Sequence, residues 1–558
     1  EAHVEQLHAQ GDALGAAGWA QIAGEFAHRN HPGRFTSPRI EAVLAQIGAA
    51  LPQVPVERAT EVRRVLHVLT EAYVTGGHTK QAVRWMARDA GRRHDVALTR
   101  ASELPPGLVD AARTIQTIRG EDLLARALAL RTLAVEYDLV ALHIHPWDVV
   151  PALAFAGRTD GPAVVLLDHA DHLFWLGAGV ADVVNNGRRP CVDVQVQRRG
   201  FSEDRSVLLP VPADTGRRVE TKEQAKAQMG IPAHAKVLLT VAVEHKFAPV
   251  LQPTFFDAAA CALEVARNAI LVAIGPKATH PGWPALAAAY PGRVHALGRH
   301  ADLQRVWDVA DAYLDSYPFS SNTSAIEAAM HAIPVVSFAP DPDAQGMLLT
   351  NDPGFEHLLV RAADPASYGL AVGALLADPG DVGERQRAGA EALHTGEAWQ
   401  ALLEILYARA LVAEPARPPA ATSQADDVTQ WELVHHLLFE ATAVTQPLAS
   451  AVRTHADALP ERLRPPAGAG VEMLCRWVGV AVGDDDVDAL PGAVGELRAM
   501  HEAGVLERCI VTMPADRVDA AIPVLERSLA AGRDFPLDLV TADDPRETLA
   551  LDRALRVA

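Results

Sequence analysis

Short apolar segments alternate with helical segments twice along this chain, and this alternation limits most strongly the folds that it can adopt. The first series contains RRVLHVL, HDVALT, YDLVALHIH and PAVVLLDHA, and the second contains KVLLTVAV, ILVAIGP, DAYLDSY and PVVSFAP. Short apolar strands separated by helices are typical of βαβ units in parallel sheets. The sequence therefore predicts an α/β fold with two successive Rossmann-like domains, each with its own sheet.

Changes in composition give the predicted domain boundaries. Residues 1–58 are rich in alanine with helical spacing and predict a helical N-terminal extension. Residues 59–215 and 216–412 hold the two Rossmann-like domains, separated by RRGFSEDRSVLLPVPADTGRR and a helical linker. The Pro/Ala/Ser-rich run at 413–427 is typical of a linker between domains. Residues 428–558 predict an additional C-terminal α/β domain, with the strands LERCIVTMP and PLDLVTADD around the helix DRVDAAIPVLERSLAAG.

The charge balance and the cysteines limit the partners and the compartment. In 558 residues, 50 Lys and Arg stand against 70 Asp and Glu, a formal charge of −20. Nucleic acid and anionic membranes require basic surface, so neither is expected as the main partner, whereas a small anion held by a local cluster stays compatible. The four cysteines form no CxxC pair, no apolar run reaches the length of a membrane span, and the chain begins with neither Met nor a leader. A cytoplasmic protein without integral membrane contact is expected.

A run of small polar residues precedes the helix AIEAAMHA, where one such residue suffices as a cap. The run consists of Ser320, Ser321, Asn322, Thr323 and Ser324. It follows the strand DAYLDSY, and doubly wound sheets bind ligands at such carboxyl ends. A helix N-terminus attracts anions, hydroxyl groups add donors, and Glu327 one turn later could accept from a ribose. A capping box formed by Ser324 and Glu327 is the alternative, and the run taken alone favours it.

Two basic residues are expected at the same sheet edge. Lys246 stands just after the strand KVLLTVAV, and Arg299 follows the strand in GRVHALGR. A lysine in such a place can reach a diphosphate as a point charge. Solvation at the surface is the commoner fate of a single lysine. The predicted convergence of three loops, around Lys246, Arg299 and Thr323, is what favours an anion site.

Three of these segments resemble a known family. HKFAP, ALGRHADLQRVWDVADAYLDSYPF and NTSAIEAAMHAIPVV are similar to the nucleotide-sugar-binding half of GT-B glycosyltransferases, nearest to the branch of protein O-GlcNAc transferases and bacterial adhesin glucosyltransferases. The resemblance implies two Rossmann-like domains that face each other across a cleft. It also implies donor-binding roles: Lys246 for the diphosphate, Arg299 beside the nucleobase, Asn322, Thr323 and Ser324 for the phosphates, and Glu327 for the ribose.

The resemblance also bears on catalysis. Retaining members commonly carry Glu-x7-Glu, and Phe319 stands here at the first of those positions, which favours an inverting enzyme with a general base. His78 is the expected base, since many inverting members have a His at this place facing the sugar. It lies in a turn with Gly76 and Gly77, which would let the backbone approach a ligand closely. The alternative is a His that only caps a helix. Lys246 would stabilise the leaving diphosphate, so no metal and no other cofactor are expected.

Two further loops after first-half strands carry histidines and carboxylates. HIHPWD and LLDHADHLFWLG supply candidates for the acceptor or sugar side, namely His145, Asp168, His169 and His172. At least one of these loops is expected to be structural, because a buried His bonded to a backbone carbonyl is common. No second cluster with suitable spacing indicates a metal site.

The leading hypothesis is a hexosyltransferase that moves a sugar from a nucleoside-diphosphate sugar, with a UDP-sugar favoured, to a glycan, protein or small-molecule acceptor. One alternative is a nucleotide-sugar 2-epimerase, for which Glu71 and Asp168 are the carboxylate candidates. Another is a non-catalytic GT-B scaffold that supports the C-terminal domain. Tetratricopeptide repeats are not found, which puts a protein acceptor in doubt. Homo-oligomerisation and the role of residues 428–558 are left open.

Overall fold

Three separate parallel β-sheets organise the computed structural model of the chain. The structure describes residues 1–29, 34–73, 77–300, 303–341, 348–414, 455, 477–481, 508–514, 522–523 and 537–542. Two of the sheets have helices between consecutive strands and are Rossmann-like. The predicted α/β fold with two Rossmann-like domains is confirmed by this topology.

The first sheet has seven parallel strands in the order β3-β2-β1-β4-β5-β6-β7. The strands are β1 (Arg64–Leu69), β2 (Arg93–Leu98), β3 (Ile115–Thr117), β4 (Leu139–His143), β5 (Ala163–Asp168), β6 (Val183–Asn186) and β7 (Ser206–Leu208). Its helices are α4 (Gly77–Arg88), α5 (Pro106–Ala111), α6 (Leu123–Ala134), α7 (Val149–Phe155) and α8 (Arg189–Gln197). Strand order reverses between β1 and β4, where sheets of this kind open a ligand crevice. Strand β7 lies inside RRGFSEDRSVLLPVPADTGRR, so that stretch is part of the first sheet and not only a separator.

The second sheet has six parallel strands in the order β10-β9-β8-β11-β12-β13. The strands are β8 (Lys236–Val241), β9 (Ala269–Ile274), β10 (Val294–Ala296), β11 (Ala312–Leu314), β12 (Val335–Phe338) and β13 (Val360–Ala362). Its helices are α9 (Lys222–Gln228), α10 (Phe255–Val265), α11 (Trp283–Ala289), α12 (Gln304–Val309), α13 (Thr323–Met330), α14 (Pro365–Ala377) and α15 (Val382–His394). The order reverses between β8 and β11, so Lys246 and the polar run follow the two strands of the switch point.

The N-terminal segment is helical, as predicted, and packs on the first domain. Helices are numbered in chain order, so the helices of this segment are α1 (Ala2–Ala9), α2 (Ala13–Arg29) and α3 (Pro38–Ala50). Ser37 caps α3 by accepting a hydrogen bond from the backbone N–H of Ile40 at 3.2 Å. Apolar side chains of these helices, including Ile40 and Leu44, share one buried core with Val140 and Leu142 of β4. The extension therefore covers one face of the first sheet.

The last helix of the second series, α16 (Gly396–Val412), packs on the first sheet. Its buried residues Trp399, Leu403 and Tyr407 share a core with Leu139 and Ala141 of β4. These strand residues alternate with those that face the N-terminal helices, so the first sheet is covered on both faces. The predicted domain boundary at residue 412 stays a prediction. Although α16 follows the second series of strands and helices in the sequence, it packs on the first domain.

A third sheet of parallel strands comes from the C-terminal region. Its strands are β14 (Trp477–Ala481), β15 (Arg508–Pro514) and β16 (Leu537–Ala542), of which the latter two fall in the segments predicted as strands. The predicted helix between them and most of the predicted linker 413–427 lie outside the described residues. Within the part of the chain that the structure describes, no helix is both long and apolar enough to cross a membrane.

Candidate functional site

A cavity lies between the two Rossmann-like domains, where loops after the carboxyl ends of both sheets meet. The first domain contributes, among others, Asp168, His169, Asp171, His172, Asn185 and Arg188. The second domain contributes, among others, Lys246, Phe319, Ser321, Asn322, Thr323 and Asp352. Connecting residues 209–212 and Trp399 also line it. Sequence-predicted residues from both domains thus share one cavity.

Lys246 lies in a short 3-10 helix, Glu244–Phe247, that follows β8. Its Nζ donates to the backbone carbonyl of Ser320 at 2.7 Å and stands 4.2 Å from the centroid of the Phe319 ring. Burial lowers the pKa of Lys246 to about 8, and the nearby Asp315 carboxylate opposes that fall. The ammonium group is therefore held between the polar run and an aromatic ring, at the cavity wall.

Ser320 and Ser321, to which the sequence assigned no role, have structural partners. Asp315 is buried after β11, and its Oδ1 accepts from both the backbone N–H and the hydroxyl of Ser321, each at 3.0 Å. Ser320 bonds through its hydroxyl to Thr350, which in turn donates to Asp315 Oδ2 at 2.6 Å. Two of the five residues of the polar run therefore fix the shape of the loop around a buried carboxylate.

The polar run does not form the predicted alternative, a capping box. Helix α13 begins at Thr323 with Asn322 as its N-cap, so Ser324 lies inside the first turn. The Asn322 side chain makes no capping hydrogen bond, and its φ of 42° is in the left-handed region that asparagine tolerates better than most residues. Asn322 and Thr323 line the cavity. The start of α13 therefore faces the cavity without a side chain capping it.

Glu327 pairs across the two domains. Its Oε1 accepts from Nη2 of Arg84, on α4, at 3.0 Å. Nε of Arg84 donates at the same time to Asp214 at 2.8 Å, in the segment that connects the domains. The carboxylate predicted to hold a ribose is thus already engaged through one oxygen. In this arrangement of the domains, Arg84 would have to share Glu327 with a bound nucleotide.

Arg299 is not among the residues that line the cavity. Its side chain is 75% exposed, and Nη2 lies 4.0 Å from Oε2 of Glu244, two residues before Lys246. The loop of Arg299 therefore lies beside the loop of Lys246, but the Arg299 side chain does not line the cavity.

Arg188 is a buried cation of the site that the sequence did not reveal. It precedes α8, and its Nε and Nη2 donate to Asp171 Oδ2 at 2.9 and 2.8 Å. Its Nη1 donates to the Leu349 carbonyl at 2.9 Å and to Asn322 Oδ1 at 3.4 Å, both in the other domain. In the sequence, Arg188 is marked only by its place in NNGRRP, at the end of a strand. This segment looks like an ordinary basic turn, so the sequence does not indicate a buried cation there.

Asp171 links this arginine to a histidine of the cavity wall. Burial alone would raise the pKa of Asp171. The Arg188 guanidinium and His172 nevertheless hold this pKa well below its usual range. Its Oδ1 lies 2.9 Å from Nδ1 of His172, and the His172 ring packs edge-on to Phe319 at 4.7 Å. Burial lowers the pKa of His172 against the opposing effect of Asp171. A neutral His172 therefore donates from Nδ1 to an anionic carboxylate.

His78 lies behind the cavity wall, in a group of aromatic and imidazole rings. Its ring centroid is 5.3 Å from that of His169, which lines the cavity, and 5.7 Å from that of His145. Nε2 of His78 lies 3.2 Å from the Glu71 carbonyl oxygen, which only accepts, so Nε2 carries the proton and Nδ1 is the basic nitrogen. Burial lowers the pKa of His78 against the effect of Glu71. Neutral His78 can therefore accept a proton at Nδ1. It does not line the cavity itself but lies next to the ring of His169, which does.

The remaining first-domain candidates have varied surroundings. Asp168 Oδ2 accepts from Arg199 and from Gln195, each at 2.6 Å, so its buried side chain is partly structural. Gly77 begins α4, and a Cβ there would meet no described atom within 4 Å. Gly76 lies outside the described residues. Over the described ranges, no group of three or more His, Cys, Asp or Glu side chains is arranged to hold a metal ion.

No protein-family model and no curated protein matches the chain. Among solved structures, it is similar to HepE from Anabaena in complex with UDP and glucose, with a TM-score of 0.48 and 15% identity over 62% of this chain and 99% of that one. A glycosyltransferase from Rickettsia africae gives a TM-score of 0.48 at 11% identity over 63% and 99%. An O-GlcNAc transferase from Thermobaculum terrenum gives 0.44 at 17% over 73% and 79%. Likeness this distant carries no argument about activity.

Proposed function

We propose that this chain is a glycosyltransferase that moves a sugar from a nucleoside-diphosphate sugar, with a UDP-sugar favoured, to an acceptor in the cavity between its domains. The observation that carries the proposal is the place of Lys246. Its ammonium group and the uncapped start of α13 meet in one cavity, after the two strands of the switch point. A cation and a helix N-terminus at this edge are suited to a diphosphate.

The donor would lie with its diphosphate at Lys246, Asn322 and Thr323. Ser324, within the first turn of α13, would add a hydroxyl donor to the phosphates. Glu327 would accept from the ribose in addition to, or in place of, Arg84, and the exposed Arg299 would flank the base. These roles follow the resemblance, and those of Lys246, Asn322 and Thr323 are supported by their shared place in the cavity wall.

Stabilisation of the departing diphosphate would come from protein groups. Lys246 contributes a full charge, and the dipole of α13 contributes a partial charge aimed at the same place. Phe319 occupies the position where a retaining member often has a glutamate, and its ring packs under the Lys246 ammonium. An inverting reaction, independent of a metal and with His78 as general base, is therefore the proposed mechanism.

Binding of UDP should depend on pH in a direction that Lys246 sets. Because the pKa of Lys246 in the free protein is lowered to about 8, the lysine loses its charge as the pH rises through that value. We expect UDP affinity to be flat below this pH and to fall by up to about tenfold for each further pH unit. Isothermal titration between roughly pH 7 and pH 9 measures it, with Lys246→Arg, which stays charged, as the control. A fall of the same size in Lys246→Arg would assign the effect to another group.

A thermal-shift screen tests the proposal as a whole. The full chain is heated with UDP, GDP or dTDP, and with their sugar conjugates. A ligand that binds only the folded state raises the free energy of unfolding, and with it the melting temperature. At a ligand concentration a hundredfold above Kd, the free energy of unfolding rises by about 2.7 kcal/mol. UDP is expected to give the largest shift. If none of the three diphosphates changes the melting temperature, there is no donor site and the proposal fails.

An epimerase is the second candidate, because carboxylates do face the cavity. Asp168, Asp171 and Asp352 line it, whereas Glu71, the other predicted carboxylate, pairs with Arg100 at 3.3 Å. Incubation with UDP-N-acetylglucosamine and no acceptor separates the two functions. Conversion of the nucleotide sugar to its 2-epimer would favour the epimerase. Release of UDP on addition of an acceptor, with no epimer formed, would favour the transferase.

A further inference from the structure

A salt bridge between the two domains lies beside the cavity. Arg84, on α4, donates from Nη2 to Oε1 of Glu327, on α13, at 3.0 Å. One turn before Arg84, Gln81 lines the cavity. One turn before Glu327, Thr323 lines it as well. Because residues three or four positions apart share a helix face, both partners of the salt bridge lie on the helix faces that border the cavity.

The guanidinium of Arg84 is fixed by three partners. Besides the bond to Glu327, Nε donates to Asp214 Oδ2 at 2.8 Å, and Nη1 donates to the Pro212 carbonyl at 3.3 Å. Both of these partners belong to the segment that connects the domains, and Pro212 also lines the cavity. A guanidinium is planar, so bonds through all three of its nitrogens fix its position and its plane. Glu327 therefore meets a donor whose place is already set.

The carboxylate of Glu327 keeps one oxygen for a ligand. Oε1 accepts from Arg84, whereas Oε2 accepts no hydrogen bond from a described residue. The side chain is 16% exposed, and Oε2 is open to solvent. A carboxylate can accept several hydrogen bonds at once. A ribose hydroxyl group can therefore donate to Oε2 while Arg84 stays on Oε1.

The first domain holds the start of α13 at two points. Arg188 donates from Nη1 to Asn322 Oδ1, at the N-cap, at 3.4 Å, and Arg84 holds Glu327 in the second turn. An unpaired glutamate side chain turns among several rotamers, and a ligand that has to order it loses affinity. The salt bridge orders the carboxylate before the ligand arrives.

We propose that Arg84 is a positioning residue for the nucleotide, which holds Glu327 in the rotamer that accepts from the ribose. This inference rests on the proposed function, which assigns Glu327 to the ribose. The groups of the ligand concerned are the ribose hydroxyl groups, and neither the base nor the diphosphate. Recognition of the ribose by the second domain thus depends on a side chain of the first.

Isothermal titration of the full chain with UDP and 2′,3′-dideoxy-UDP tests this inference. The second nucleotide keeps the base and the diphosphate but lacks both ribose hydroxyl groups. The wild type is expected to bind UDP about tenfold more tightly, because only UDP can donate to the carboxylate. Arg84→Gln should weaken UDP about fivefold and leave 2′,3′-dideoxy-UDP within about twofold. Arg84→Lys, which keeps the charge but not the planar fork, should recover part of the loss.

Arg88→Gln is the matched control. Arg88 lies one turn further along α4, and its Nη2 donates to Asp214 Oδ1 at 3.0 Å and to the Ala213 carbonyl. The control variant therefore loses contacts with the same connecting segment but keeps the bond between Arg84 and Glu327. It should retain the wild-type ratio of UDP to 2′,3′-dideoxy-UDP affinity.

A double variant shows whether Arg84 acts through Glu327. Glu327→Gln should by itself reduce the ratio of UDP to 2′,3′-dideoxy-UDP affinity. Adding Arg84→Gln to Glu327→Gln should then change the ratio no further, because the group that Arg84 positions is gone. A further fall of similar size in the double variant would mean that Arg84 acts on the nucleotide without Glu327, and the inference would be wrong.

The outcomes separate the inference from the proposed function. If UDP binds but Arg84→Gln keeps the wild-type ratio, the inference is wrong and the donor site stands. Tighter binding of UDP by Arg84→Gln also overturns it, because Arg84 would then compete with the ribose. Should Arg84→Gln fail to fold, the ratio in Arg84→Lys decides in its place. If UDP, GDP and dTDP all fail to bind the wild type, the donor site itself fails and this inference falls with it.

Discussion

Replacing Lys246 by alanine is expected to remove most of the rise in melting temperature that UDP produces in the wild-type chain. The ammonium group lies at the cavity wall, 2.7 Å from the Ser320 carbonyl, and a diphosphate there would exchange that neutral acceptor for a charged one. Loss of one charge-assisted interaction should weaken UDP binding by about 2 kcal/mol, roughly 30-fold. Thermal shift at fixed UDP concentration, followed by titration calorimetry, measures the change.

Lys236→Ala is the control for this variant. Lys236 begins β8, the strand after which Lys246 lies, so it stands at the opposite end of the same strand. Its Nζ is 4.0 Å from Asp311, which also binds Lys222 at 2.5 Å and so keeps a partner. The control should retain the full UDP shift. A full shift in Lys246→Ala as well would remove this lysine from the donor site.

Replacing His78 by alanine is expected to lower transfer by about 100- to 10,000-fold, the range for loss of a general base. Donor binding should be unchanged, because His78 lies in the first domain and behind the cavity wall. Release of UDP from UDP-glucose in the presence of acceptor measures transfer, and the thermal shift by UDP measures binding. Since burial lowers the pKa of His78, the acid limb of the pH profile should lie below the ordinary histidine range.

His172→Ala is the competing variant. His172 lines the cavity and holds Asp171 at 2.9 Å, an arrangement that also orients an imidazole for proton transfer. Transfer at the wild-type rate in His78→Ala, together with a large loss in His172→Ala, would contradict the assignment of His78 and give the role to His172. Both variants should still bind UDP.

Much of the fold was accessible from the sequence because the central strands of both sheets are long, apolar and buried. KVLLTVAV and PAVVLLDHA became β8 and β5, each of which has a neighbouring strand on both sides. The strands that lacked a clear signal are β3, β6, β7 and β13, which have three or four residues each. Strands this short at or near a sheet edge are specified by pairing with a neighbour more than by their own pattern.

The candidate site was only partly accessible. Lys246, Asn322 and Thr323 could be placed because loops after adjacent strands converge at one sheet edge. Arg188 and the pair of Arg84 with Glu327 could not, since these contacts join residues 134 and 243 positions apart across two domains. The orientation of one domain on the other is decided by packing, including that of α16, and no local pattern encodes it.

The two places where the chain passes between the domains determine how the domains can move. Residues 209–213 and the junction between α15 and α16 run side by side. Trp399 Nε1, on α16, donates to the Pro210 carbonyl at 2.9 Å, and Ala213 N–H donates to the carbonyl of His394, the last residue of α15, at 3.0 Å. Two bonded, adjacent passages act as a hinge, which permits rotation about their common line and opposes sliding. Because Pro210, Val211 and Trp399 also form one wall of the cavity, such a rotation opens or narrows the opposite side and leaves this wall intact.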